Sequence, residues 1–366
     1  MVCVESAVVW THRASARSTW VMVELVANGI RGVGELSDGG PVAALVAAAR
    51  SVRSAIVGRP LEQVRAELRS TTGPEAFLWS TVLSGYESAL ADLVARLEGR
   101  SLSASLGLGE PGPVRLYANV NRRYGGAGAE AIVAEAVGAA GNGFSAVKVA
   151  PFLDNHARGM SGTRLIDAGL ELVVKVREAI PDDVHLMVDC HHLVPAELLA
   201  VVTRELATLD LYWVEDLVRV DDRAALDAAA ATGLPLAAGE HIWQPAAAAT
   251  ACAGGALTYW LVDPKHAGGP AGVARIAEAI GDTQLTFHNP SGPVGTAHAA
   301  HLAGLASAGT WLEYAWGETD RLTFLDPPEA VVDGMLRPAG PGIGCSPRTR
   351  PDDELEASRR TAKDAS

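Results

Sequence analysis

Residues 186–191 read Leu186-Met187-Val188-Asp189-Cys190-His191: an apolar run enters an acid, and a histidine follows two residues later. Side chains alternate between faces on an extended strand, so Asp189 and His191 are expected on one side, Cys190 and His192 on the other. Polar groups at the carboxyl end of a strand are where a barrel of parallel strands keeps its chemistry. The rest of the chain repeats the arrangement. Apolar runs at 114–120, 144–149, 184–189, 211–215, 235–240, 258–263, 284–288 and 310–314 alternate with helical patterns such as 164–180, 195–208 and 270–280. This is the alternation of an α/β fold, and eight such units fit a closed, TIM-like barrel of seven to eight strands. An open doubly wound sheet shows the same alternation. It does not explain why the runs end at Asn119, Lys148, Asp189, Glu215, Glu240, Asp263, His288 and Glu313, polar residues that suit convergence on one site.

Ahead of the barrel, 2–11 and 19–27 read as strands joined by a loop carrying Arg13 and Arg17, and Asn28-Gly29 marks a tight turn. Helical patterns follow at 41–57, 60–70 and 76–98, and Pro111-Gly112-Pro113 closes this α+β region. Beyond 320 the chain returns to loop character, and the charged stretch from 348 reads as a disordered tail. Gly125-Gly126-Ala127-Gly128 lacks the full dinucleotide spacing and reads as a flexible loop.

The 366 residues carry a net charge of −13, which argues against nucleic acid or an anionic membrane as partner. Cys3, Cys190, Cys252 and Cys345 form no CxxC pair and read as free thiols of a reducing compartment. No secretory leader or membrane span is evident, so a cytoplasmic protein acting on a small molecule is expected.

Asp189, Glu215 and Glu240 end successive strands about 25 residues apart. Neighbouring strands lie about 5 Å apart, so three strand ends can close on one ion. An all-oxygen donor set suits Mg²⁺, with Mn²⁺ as substitute, whereas zinc favours nitrogen or sulfur. Asp263 and His288 end the next two strands, and an acid beside a histidine fixes its tautomer and raises its basicity, as a general base requires.

These residues, with Asp263-Pro264-Lys265-His266-Ala267-Gly268-Gly269 and His288-Asn289-Pro290, resemble the enolase superfamily and most of all its mandelate racemase subgroup. Gly32-Val33-Gly34-Glu35 and Glu87-Ser88-Ala89-Leu90-Ala91-Asp92 are similar to its capping domain, and Pro341-Gly342-Ile343-Gly344 to its C-terminal return segment. The resemblance implies a capping domain at 1–111, a barrel at 112–318 and a return segment at 319–347 packing on the capping domain. It further implies one divalent ion per site, a small carboxylate substrate, abstraction of the proton α to that carboxylate, and a homo-oligomer.

Within that frame Lys148 would meet the substrate carboxylate, and Glu313 would contact it either protonated or through a partner. Racemases of the subgroup carry a second base two residues after the lysine; here that position is Ala150. This departure, with His191 two residues after Asp189, resembles galactonate-type acid-sugar dehydratases. His288, held by Asp263, would take the α proton, and His191 would protonate the departing β-hydroxyl. A cycloisomerase, a one-base epimerase and a non-catalytic binding protein are the alternatives. Asn119 and Asn121 on one strand face, His241 and Arg17 are candidate substrate contacts, the segment 152–159 is a candidate lid, and Lys265 could reach the metal site.

Overall fold

The computed structural model describes residues 1–16, 18–70, 76–123 and 128–348. Arg17 and Gly125-Gly126-Ala127 lie outside the described residues, as does all of the expected tail except Arg348, whose N–H donates to the Phe324 carbonyl. The chain opens with an antiparallel sheet, β1 (Ser6–Arg13), β2 (Thr19–Ala27) and β3 (Ile30–Glu35), backed by α1 (Val42–Ile56), α2 (Leu61–Ser70) and α3 (Phe77–Leu97). Apolar residues of both layers, among them Val21, Val23, Leu25, Leu45, Tyr86 and Leu90, form one core.

Eight parallel strands follow among the described residues: β4 (Val114–Asn119), β5 (Ala146–Val149), β6 (His185–Asp189), β7 (Leu211–Glu215), β8 (Leu236–Ala238), β9 (Tyr259–Val262), β10 (Gln284–Phe287) and β11 (Trp311–Ala315). They neighbour one another in chain order, and β11 pairs back onto β4, which closes the barrel. Outward-facing Val, Leu and Ile side chains meet the surrounding helices in the main core. The inside is organised by alternation. Tyr117, Ala146, Met187, Trp213, Leu261 and Trp311 pack together as an apolar floor. Two residues further along the same strands stand Asn119, Lys148, Asp189, Glu215, Asp263 and Glu313. A period of two keeps floor and polar ring on one face, so the ring is carried directly above the floor.

Glu240 joins the ring by another route. The run 235–240 is not strand to its end: β8 stops at Ala238, and Gly239 takes φ 133°, a conformation open to glycine. A Cβ at Gly239 would meet the Trp260 ring at 2.7 Å and the Leu261 carbonyl at 3.0 Å. The irregular backbone turns Glu240 inward where alternation would have kept position 239.

The expected lid segment contains a short helix, Leu153–Ala157, closed by an Arg158–Asp154 ion pair. The C-terminal region is less loop-like than its sequence suggests. Val331–Val332 and Met335–Leu336 make a hairpin whose second strand pairs with the start of β4. Further on, the N–H groups of Gly342 and Ile343 donate to the Arg100 carbonyl and Asp92. The segment therefore touches barrel and N-terminal domain alike; two-residue strands have no periodicity to read. No helix among the described residues is long and apolar enough to cross a membrane.

Substituting Gly239 by Ala should cost about 1–3 kcal/mol through backbone strain and the Trp260 contact. Urea unfolding of the variant beside Gly233→Ala, which has positive φ but open space at Cβ, separates the two contributions: a smaller loss at 233 is expected.

Candidate active site

The ring closes a cavity of about 370 Å³ lined by Asn119, Asn121, Lys148, Asp189, His191, Glu240, His241, His266 and His288, with Asp38 and Phe77 reaching in from the N-terminal domain. Asp189, Glu215 and Glu240 come from adjacent β6, β7 and the end of β8. Each offers a carboxylate oxygen within 4.8 Å of the others, and all three are buried.

Protein cations are drawn into this group. Lys148 Nζ lies 2.9 Å from Glu215, 3.0 Å from Glu313 and 3.4 Å from Asp189. Burial opposes its charge, but Glu215 and Glu313 outweigh burial and hold the ammonium well above its ordinary pKa. His288 Nε2 approaches Glu240 at 2.6 Å, while its Nδ1 meets Asp263 Oδ2 at 3.0 Å. Burial alone would keep that imidazole neutral; Glu240 and Glu313 instead raise it well above the usual histidine range.

Five buried carboxylates thus crowd this end of the barrel, Asp189, Glu215 and Glu313 around Lys148, Asp263 beside Lys265, and Glu240 beside His288. The negative excess shows at Glu215, which burial and the neighbouring Asp189 push up to about 8 despite Lys148. This donor set fits a hard divalent cation: oxygen ligands, mutual proximity and uncompensated charge.

The remaining expected residues fall as follows. β6 ends at Asp189, and His191 and His192 both take left-handed backbone angles, φ 47° and 54°. Strand alternation therefore does not place them. The turn folds His191 Nδ1 back to 2.9 Å from Asp189 Oδ1 and sends His192 Nε2 to 3.6 Å from Asp216. Burial lowers the His191 basicity, but Asp189 more than restores it, to a pKa of about 9.

Glu313 is not held protonated. Burial pushes it up, Lys148 and His288 pull it further down, and it ends below its ordinary value. It accepts from Asn119 Nδ2 at 2.6 Å and from the Asn289 N–H at 3.0 Å.

Asn121 does not share a strand face with Asn119. It sits in the 3₁₀ turn Val120–Arg123, where its Oδ1 accepts from the Ala150 N–H at 2.8 Å. Both asparagines still reach the cavity. His241 stands exposed at the rim, 3.0 Å from Glu240. Arg13 is tied to the carbonyls of Ser15 and Ala16 in its own loop. Lys265 does not reach the three-acid group: its ammonium bonds Asn289 Oδ1 and the Ser291 carbonyl and lies 3.5 Å from Asp263.

The sequence reading missed how the N-terminal domain grips the loops that carry Asp263 and His288. Ser80, Thr81, Ser84 and Glu87 share one face of α3. Ser80 donates to the His266 carbonyl, Thr81 meets His266 Nδ1 at 2.9 Å, and Ser84 accepts from the Gly268 N–H at 2.7 Å. Glu87 lies at the start of the helix Gly269–Ala279. Glu35 accepts from the Gly295 N–H at 2.8 Å at the start of the helix Pro293–Leu302. Trp20 Nε1 donates to Ser291 Oγ at 2.9 Å. Helix starts favour such acids. The available signal was the i, i+1, i+4, i+7 spacing of polar residues at 80, 81, 84 and 87 in a helix with many apolar positions.

Against known proteins, residues 131–351 match the model for the enolase C-terminal domain-like family, and residues 4–107 match the mandelate racemase/muconate lactonizing enzyme N-terminal domain. The chain belongs to the enolase superfamily. It is 27% identical to D-gluconate dehydratase of Thermoproteus tenax over 95% of this chain and 72% of that one. It is 27% identical to D-galactonate dehydratase of Xanthomonas oryzae pv. oryzae over 80% and 76%. A mandelate racemase/muconate lactonizing enzyme-like protein from Rubrobacter xylanophilus superposes with TM-score 0.84 at 25% identity, covering 98% and 97%. The 3,6-anhydro-D-galactonate cycloisomerase of Zobellia galactanivorans shares the fold at TM-score 0.78 and 21% identity, covering 97% and 99%.

An ion bound by the three acids should stabilise the fold, by about 2.7 kcal/mol at a hundredfold excess over Kd. Thermal scans of the chelator-treated superfamily member should therefore show Tm rising with Mg²⁺. Glu215→Gln should remove most of that rise, and an unchanged rise would exclude Glu215 as a ligand.

Proposed function

We propose that the enzyme is a Mg²⁺-dependent dehydratase of a polyhydroxy carboxylic acid. Asp189, Glu215 and Glu240 would hold the ion. It would stabilise negative charge developing on the substrate carboxylate as the α proton leaves.

The observation that carries the reading is the placement of two histidines on one cavity with no base at position 150. His191 follows β6 and His288 follows β10, the third and seventh of eight strands in a closed ring, so they approach from opposite sides. Asp263 accepts from His288 Nδ1, which turns Nε2, now 2.6 Å from Glu240, toward the cavity, and the base acts once an ion has taken up the Glu240 charge. That nitrogen takes the C2 proton, and the C2–H electron pair passes into the enediolate. The C3–O bond then breaks as C2=C3 forms, and His191 delivers its proton to the departing hydroxyl, releasing water. The enol that remains tautomerises to a 2-keto-3-deoxy acid.

Lys148 is fixed beside Glu313 and Glu215, where its charge can meet the substrate carboxylate. Glu313 acts through it and through Asn119. Ala150 presents its N–H to Asn121 and has no side chain that could take a proton, which disfavours racemisation by two bases. The dehydratase names of the two relatives at 27% identity point the same way.

The test is a panel of aldonic and aldaric acids with the Mg²⁺-loaded enzyme, with 2-keto acid read as its semicarbazone. The reading expects keto product from at least one acid. His288→Asn should then lower kcat by about 10²–10⁴ with little change in KM, the usual contribution of a general base. Conversion of substrate to an epimer or lactone without keto acid would contradict the reading.

A further inference from the structure

Beside the three-acid group lies a second set of donors, of which the proposed reaction uses only Glu240. Asp216, the residue after Glu215, turns away from the barrel interior at φ 46°. It lines a separate hollow of about 510 Å³ together with His192, Arg219 and His241. Its carboxylate is buried, yet it accepts no hydrogen bond among the described residues. Its near neighbours are two imidazole nitrogens, His192 Nε2 at 3.6 Å and His241 Nδ1 at 4.0 Å. The same His241 nitrogen lies 3.0 Å from Glu240 Oε1. The two Glu240 oxygens are thereby divided, Oε2 toward His288 and Oε1 toward His241, which borders both hollows.

We infer that Asp216, Glu240 and His241, with His192 beside them, form a second cation site whose mixed nitrogen and oxygen donors select a transition metal. Oxygen and nitrogen atoms of Asp216, Glu240 and His241 lie within 4.8 Å of one another. Donors about 2.1 Å from a shared ion stand about 3.0 Å apart at right angles and about 4.2 Å apart across it. The spacings of 3.0 and 4.0 Å fall at these two limits. Imidazole with carboxylate suits Mn²⁺, Fe²⁺, Co²⁺ or Zn²⁺, whereas the inner all-oxygen set suits Mg²⁺. The inference touches the proposed Mg²⁺ site only through Glu240, which the two ions would share. Occupation would fix the Glu240 carboxylate and withdraw His241 from the substrate cavity, where it also borders.

The test is metal content. The full chain, stripped with chelator and dialysed against Co²⁺ in excess Mg²⁺, should retain one Co²⁺ per chain beside Mg²⁺, with a visible d–d band shifted by nitrogen ligation. Asp216→Asn and, as an independent variant, His192→Ala should weaken Co²⁺ retention at least about tenfold while Mg²⁺ content stays. Asp189→Asn should do the converse, losing Mg²⁺ and keeping Co²⁺, so failure of the inner site is told apart from failure of this one. Cobalt that excess Mg²⁺ displaces completely, or that binds equally to wild type and Asp216→Asn, would overturn the inference.

Discussion

Everything at this site follows from gathering five carboxylates at the mouth of one barrel. Each buried charge forfeits hydration worth several kcal/mol unless it is paired. The chain meets this with Lys148 among Glu215, Glu313 and Asp189, and with His288 between Asp263 and Glu240. The second pairing has a chemical consequence. A base must offer a lone pair, yet His288 Nε2 is engaged by Glu240, one of the three proposed ion ligands. A cation on the three acids and the imidazolium proton would compete for the same negative charge, which would couple ion binding to the availability of the proposed base through Glu240.

The rest of the fold serves to hold those charges in place. The aromatic and aliphatic floor sets the depth of the ring. The polar face of α3 fixes the loop after Asp263. Trp20 and Glu35 fix the loop after His288. From the other side, Arg321 bonds Thr296 and pairs with Glu329, and Thr296 accepts from Asn289 Nδ2, so the C-terminal segment buttresses the same loop. Glu35 and Glu87, raised by burial to about 7, are more readily retained at helix starts than elsewhere in an apolar interface. The N-terminal domain is therefore a support for the Asp263–His288 pair as well as a lining of the cavity, to which it adds Asp38 and Phe77.

What the sequence made legible was whatever obeys a short period. Strand alternation carries Met187 to Asp189, Trp213 to Glu215 and Leu261 to Asp263, so the ring could be read one strand at a time, and the barrel with it. Departures from regular backbone were not legible. Glu240 depends on the φ of Gly239, His191 and His192 on a left-handed turn, and Asn121 on a 3₁₀ turn that carries it off the strand. Contacts between distant segments, such as Ser84 with Gly268 or Lys265 with Asn289, have no local signature. The presence of His191 at the cavity was expected on the wrong ground: it arrives by a turn over Asp189, not by strand alternation.

The central claim is that two histidines divide the proton transfers, His288 taking a proton and His191 giving one. The most direct measurement uses His191→Asn with an acid that the wild type dehydrates, in D₂O, followed by NMR. The division of labour predicts deuterium entering at C2 of recovered substrate while keto acid formation falls by orders of magnitude. Keto acid formed at the wild-type rate, or loss of exchange and elimination together in a folded variant, would contradict it.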